Sequence, residues 1–340
     1  MRLCIIADDL TGALDSAAPF AGRGLSVQVA LSPDATAKVA ASGAQVMAVS
    51  TRSRDGDAGA ARAAMAQVMA ALPAGVPVLK KIDSRLKGHI AAELVVLNPS
   101  RLLVAPAIPD FGRIQQGGHV QGHGVAQPIP IADALGPLTD RALIPDVTSA
   151  ADMTAALEMA APGDLLVGAR GLAEALAIRM TAQGQAAMVV PRAERSLLVI
   201  GSRDPITVEQ ARRVQASGLA TMLPAPLGQA DPGAPPPAPH LLVQATAGDV
   251  TRPGAQVAHA LARSIHPRLT ADRQALLLSG GATAEAVLAH MGITSLRLAG
   301  ECLPGLPLAN AGEISIIAKS GGFGDADTLV TLLKIFQGRN

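Results

Sequence analysis

Short, unbroken apolar runs recur along the whole chain and alternate with alanine-rich stretches. The runs fall at 3–7, 27–31, 46–50, 76–82, 102–105, 165–167, 197–200, 241–244, 275–278 and 314–318. Between them the pattern predicts helices, among them 57–71, 87–97, 152–160, 171–182, 205–217, 253–265, 282–291 and 325–336. A run such as Leu3-Cys4-Ile5-Ile6-Ala7 keeps no polar face for water, so both of its faces must be covered. Strands of that kind, separated by helices, predict an α/β chain with mainly parallel sheets clothed in helices on both sides. Pro19 lacks an N–H and should kink or end the first helical stretch.

At 340 residues the chain exceeds one ordinary core, so two domains are expected. The polar break PRAERS at 191–196 divides them into 1–192 and 196–340. Residues 224–239 hold seven prolines and read as an extended loop inside the second domain. The glycine-rich segment 112–131 lacks helical periodicity and reads as a hairpin or flap over a site.

Composition removes several functions. Twenty-eight basic residues against 27 acidic leave a net charge of +1, which is a poor fit to a nucleic-acid surface. Four Phe with no Tyr or Trp leave no aromatic platforms for stacking bases or sugar rings. Two cysteines in apolar surroundings fit a reducing compartment, and no apolar run approaches the ~20 residues of a membrane span. The chain reads as cytoplasmic, without membrane or nucleic-acid partners. It is compatible with homo-oligomers.

Ligands of open α/β sheets bind beyond the carboxyl ends of the strands, so the residues just after each run carry the chemistry. In the first half these are Asp8-Asp9, Arg52 and Arg54, then Lys81 to Arg85, then the run APAIPDFGR. Acids, guanidiniums, an amine and a hydroxyl on one edge suit a small polyhydroxylated anion. Arg or Lys grips a carboxylate while Asp accepts from hydroxyls. In the second half three tips are small or glycine-rich: Gly201-Ser202, the run from Ser279 to Ala284, and the run from Lys319 to Gly324. Glycines between strand and helix let backbone amides approach phosphate, although neither the P-loop nor the Rossmann spacing occurs. His119 and His123 would pair on a helix, but their glycine neighbours argue against one, and no metal site is predicted.

IADDLTGALDSA, STRSR, KKIDSRLKGH, APAIPDFGR, GSRD, SGGATAEAVL, LPGLP and AKSGGFGDADTL occur in that order from residue 5 to 328. This series resembles the four-carbon acid sugar kinase family. The resemblance implies a sugar-acid-binding N-terminal domain, a nucleotide-binding C-terminal domain, an active site between them, and ATP as phosphoryl donor. It implies that Asp8, Arg52, Lys81, Ile82, Asp83 and Ser84 contact the acid. It implies that Ser202, the turn of Gly280, Gly281, Ala282 and Thr283, and Gly321-Gly322 hold the nucleotide. Arg52 and Lys81 would take the carboxylate, and Asp8 and Asp83 would orient the hydroxyls, with Asp83 as base. Lys319 and a Mg²⁺ carried with the nucleotide would stabilise charge in transfer. Ala282 stands where family members carry Asp, and members are typically longer, so this C-terminal domain is abbreviated. The rival expectations are a sensor that binds acid and nucleotide without turnover, and a metal-dependent lyase or hydrolase.

Overall fold

The computed structural model describes residues 1–338 apart from 232 and 234–237. The chain divides into two compact units, Met1–Ala186 and Ala187–Asn340. The division falls ahead of the polar break at 191–196, because the Val189 amide bonds the Glu301 carbonyl and so ties this segment to the second unit.

The first unit begins β1 (Leu3–Ala7), α1 (Leu10–Ala21), β2 (Val27–Ala30), α2 (Thr36–Ala40), β3 (Val46–Ser50), α3 (Ala58–Ala71), β4 (Val78–Lys81), α4 (Ile90–Leu97) and β5 (Leu102–Ala105). It continues with β6 (Arg113–Gln116), β7 (His119–Gly122), β8 (Ile129–Pro130) and α5 (Ile131–Leu135). It closes with β9 (Ala142–Leu143), α6 (Ala150–Glu158), β10 (Leu165–Gly168) and α7 (Arg170–Thr181). The main sheet runs β2-β3-β1-β4-β10-β5-β9, all parallel, and every residue of β1 and β3 is buried. Covering both faces is what their uninterrupted apolar sequence requires. The glycine-rich segment forms its own antiparallel sheet, β6-β7-β8. β1 and β4 are neighbours whose onward connections lead to opposite sides, β1 to β2 and β4 to β5. Such a switch point opens a crevice at the carboxyl ends of the two strands.

The second unit contains β11 (Ser196–Ile200), α8 (Pro205–Ser217), β12 (Thr221–Pro226), β13 (His240–Thr246), α9 (Gly254–Ile265), β14 (Ala275–Ser279) and α10 (Gly281–His290). It ends with β15 (Ser295–Leu303), β16 (Leu306–Ala311), β17 (Ile314–Lys319) and α11 (Thr328–Phe336). Its strands run β12-β13-β11-β14-β17-β16-β15, parallel up to β17 and antiparallel beyond. β11 and β14 form its switch point by the same rule, since β11 leads to β12 and β14 to β15.

Several expectations change. Helix α1 passes through Pro19 and stops two residues later, at Ala21. The start of the proline-rich segment is not loop: Pro224 and Pro226 lie in β12, an edge strand, where a missing N–H is tolerated. Residues 232 and 234–237 of that segment lie outside the described residues. The β15–β16 hairpin was not expected, because β15 alternates buried and open positions and carries no continuous apolar run. The last helix begins at Thr328 and not at 325: Asp327 occupies its N-cap position with its side chain paired to Arg213, while Asp325 accepts from the Asp327 amide and the Thr328 hydroxyl.

Candidate active site

Asp8 and Asp9 follow β1 directly and have different tasks. Asp9, in extended conformation, caps α1: its Oδ1 accepts from the Gly12 amide at 2.9 Å and its Oδ2 from the Thr11 hydroxyl at 2.6 Å. Asp8 is buried and held by a two-pronged fork from Arg54, in the loop after β3, with Nε to Oδ2 at 2.8 Å and Nη2 to Oδ1 at 2.6 Å. Arg54 Nη1 bonds Asp9 Oδ2 at 3.0 Å and stands 3.7 Å from Asp83 Oδ2. One guanidinium thus meets three carboxylates from two strand tips. Burial alone would push the Asp8 carboxyl up; the Arg54 fork, with the charges of Lys80 and Lys81, outweighs it and holds the group below the usual range. Arg54 in turn holds its proton more tightly than a free arginine: burial opposes this, but the bond to Asp8 and the charges of Asp9, Asp8 and Asp83 prevail.

The two lysines of β4 point to opposite faces, as strand geometry demands. Lys80 is fully buried and pairs with the buried Glu93 of α4 at 3.0 Å, while also donating to the Ile6 and Lys81 carbonyls. Glu93 Oε1 accepts from the Ser53 hydroxyl at 2.7 Å and the Thr51 hydroxyl at 3.2 Å, so this internal pair anchors the loop that carries Arg54. Lys81 is 5% exposed, yet among the described residues its ammonium meets no bonding oxygen. A Cβ at Gly12 would come within 2.8 Å of its Nζ, which places the amine beside the start of α1. Gly88 closes the other side. It has a φ of +93°, and a Cβ there would come within 2.7 Å of Asp8 Oδ2.

The remaining residues expected at this edge separate. Asp83 Oδ1 accepts from the amides of Arg85 and Lys87, whereas no hydrogen bond among the described residues reaches its Oδ2. Ser84 accepts from Arg113 Nη1 at 2.6 Å, which hooks β6 onto the turn after β4. Ile82 packs in the hydrophobic core, so only its backbone faces the tip. Arg52 is exposed with a φ of +54°; its Nε donates to the Leu31 carbonyl at 2.7 Å and it does not join the acid cluster. Two histidine rings bond backbone carbonyls, His89 to Gly56 and His119 to Gly117. Among the described residues no group of three or more His, Cys, Asp or Glu is placed to hold a metal ion. Both thiols are buried and pushed up to about 12, so neither is a nucleophile.

The second unit presents a cradle of bare backbone at its switch point. A Cβ at Gly201 would overlap the Thr283 hydroxyl, and one at Gly321 would overlap the Ser202 hydroxyl; Gly322 has ordinary room, 3.4 Å from Asp204 Oδ2. Gly280, at φ +103°, is the N-cap of α10 and supplies no side chain to its first amides. Ala282 is therefore the second residue of that helix, exposed, and not at the capping position. Ser279 is buried at the tip of β14, and among the described residues its hydroxyl has no hydrogen-bond partner. A helix N-terminus beside glycines without clearance for a side chain fits a phosphate chain. Lys319 ends β17 at this edge, opposite Ser279, but its side chain turns inward. Its buried amine donates to Thr207 Oγ1 (2.9 Å), the Ser320 carbonyl (3.1 Å) and the Gly321 carbonyl (3.0 Å), and burial lowers its pKa to about 8 against the opposing charge of Asp204. All three donors hold the shape of the glycine turn.

Residues 3–223 match the sugar-binding N-terminal domain and residues 237–329 the nucleotide-binding C-terminal domain of one family. The chain belongs to the four-carbon acid sugar kinase family. The first of these matches runs past the division at 186/187 to the end of α8 and into β12, so the family's sequence unit and the compact unit differ there. A D-threonate kinase of Cupriavidus necator is 30% identical, with 97% of this chain and 96% of that protein aligned. A D-threonate kinase of Bordetella bronchiseptica is 29% identical over 405 positions, covering 98% and 97%. The 405 positions exceed the 340 residues of this chain, so that relative carries segments this chain lacks. A Haemophilus influenzae protein of the family formerly called a domain of unknown function shares the fold, with a TM-score of 0.71 at 19% identity over 98% of this chain and 99% of that one. Reading the sequence alone missed Glu93, and it placed Arg54 and Arg113 at the strand tips without their partners, Asp8 and Ser84. The spacing of two arginines in STRSR was visible, but which one turns toward Asp8 depends on the shape of the loop, with its positive φ at Arg52.

Proposed function

We propose that the protein is an ATP-dependent kinase that phosphorylates the terminal hydroxyl of a four-carbon sugar acid, with D-threonate the first candidate. The observation that carries this reading is the Lys81 ammonium, nearly buried and, among the described residues, without a hydrogen bond or salt bridge, at the same switch point as the Asp8 carboxyl, which is held below its usual range. A charge so placed is satisfied by an anion from outside the chain. Family membership supplies the reaction class, and the relatives named D-threonate kinase suggest which anion.

Lys81 would take the acid's carboxylate, with Arg52 available through its exposed guanidinium. Asp8 would orient a hydroxyl while it stays locked to Arg54. Asp83 Oδ2 is the least engaged carboxylate oxygen of the three acids and would accept the proton of the attacking hydroxyl. Ser202, the turn at 280–283 and Gly321-Gly322 would hold the nucleotide, with Mg²⁺ carried on its phosphates. Phosphoryl transfer asks the protein chiefly for positioning and charge stabilisation, and these groups supply both. The test is ADP release with ATP, Mg²⁺ and a panel of three- to six-carbon aldonates and their oxo-acids. Turnover limited to four-carbon acids supports the reading. Binding of acid and nucleotide without turnover would instead mark a sensor.

A further inference from the structure

We propose that Arg54 is a positioning residue of the acid site: its fork fixes the direction of Asp8, and its charge is shared among the three carboxylates gathered around it. This rests on the kinase reading above and extends it to a residue that reading leaves without a role. Asp8, Asp9 and Asp83 all lie against one guanidinium, at 2.6, 3.0 and 3.7 Å. Like charges gathered at one point repel one another, and burial works against the Asp8 charge, so loss of Arg54 removes the main influence that holds the Asp8 carboxyl below the usual range. The other charges facing the cluster do not replace Arg54. Lys80, on β4, is committed to Glu93; Lys81, on the same strand, is the group left for the substrate. Arg113 is engaged with Ser84 and the His123 carbonyl, and Arg85 acts on Arg113 by repulsion.

The fork also has a support. The amides of Ser53 and Arg54 both donate to the Asp8 carbonyl, at 3.0 and 3.3 Å. Glu93 holds the hydroxyls of Thr51 and Ser53 from beneath. The loop is therefore fixed at backbone and side chain before any ligand arrives, which is what a group that sets another's geometry requires.

The test compares wild type with Arg54→Gln and Arg54→Lys in full kcat and kcat/KM pH profiles on the best acid, with acid binding followed by calorimetry and folding by melting temperature. Arg54→Gln should move the acid limb of kcat/KM upward by about one to three pH units, the range over which a neighbouring cation depresses a carboxylate. Arg54→Lys keeps the charge and loses the planar fork. It should leave the acid limb near that of wild type while lowering kcat at least tenfold, with a smaller change in KM. If Arg54→Gln does not fold, Arg54→Lys decides alone through its kcat against its pH limb. An active enzyme whose variants both keep the wild-type profile overturns this proposal. A wild-type protein that phosphorylates no four-carbon acid defeats the function proposed above instead.

Discussion

Replacing Glu93 with glutamine changes one oxygen to an amide nitrogen and leaves almost every contact sterically intact. The retained carbonyl oxygen can still accept from Ser53 and Thr51, but the new NH₂ faces the Lys80 ammonium, donor against donor, across 3.0 Å. Lys80 has no water to turn to, since it is fully buried, and its two backbone carbonyl partners carry no net charge. Removing one partner of a buried ion pair costs about 3–5 kcal/mol, because the other charge stays buried and uncompensated. For a unit of this size each kcal/mol moves the melting temperature by about 2–4 °C, so the first transition should fall by roughly 6–20 °C. Scanning calorimetry with urea unfolding as a second measure reads this directly. The double variant Lys80→Met with Glu93→Leu is the control: it removes both charges and should melt above Glu93→Gln. A Glu93→Gln protein that melts within about 2 °C of wild type would refute the reasoning, as would a double variant less stable than the single one.

Other outcomes follow from the same geometry. Asp83→Asn should lower kcat on the best acid at least tenfold with little change in KM, and wild-type kcat would remove Asp83 as base. Gly321→Ala should abolish the thermal protection given by ADP while Gly322→Ala retains most of it, since only the first would overlap Ser202; equal effects would place the phosphates elsewhere. The Lys319 amine should titrate near pH 8 when followed by nitrogen NMR, a signal absent from Lys319→Met. Because the folded chain releases that proton more readily than the unfolded chain, Lys319 should make stability rise with pH between about 8 and 10.5.

The strand tips were legible because parallel strands buried on both faces write themselves as continuous apolar runs. β1, β3 and β5 begin and end where such runs do. Their chemistry was legible for the same reason: polar residues directly after a run have nowhere to lie but the carboxyl edge. What could not be read were partners chosen by rotamer and loop shape. STRSR offers two arginines, and the shape of the loop, with its positive φ at Arg52 and its amide bonds from Ser53 and Arg54 to the Asp8 carbonyl, sets the second against Asp8. Lys319 looked like a phosphate ligand by position, yet Thr207, far off in sequence, draws it inward. The β15 strand was hidden because Leu296, Leu298 and Cys302 are buried at alternate positions, a weaker signal than an unbroken run.

The two prolines of β12 have a bearing on how the molecule behaves in company. The Leu227 amide bonds Thr246 on β13, so by alternation the amides of 223 and 225 face that neighbour, and 222, 224 and 226 face outward. Two of those three outward positions are Pro224 and Pro226, which have no hydrogen to offer. A strand from another molecule that tried to extend the sheet at this edge would find one donor where it needs three. An open row of backbone groups is the usual template for runaway strand addition, and here two prolines blunt it.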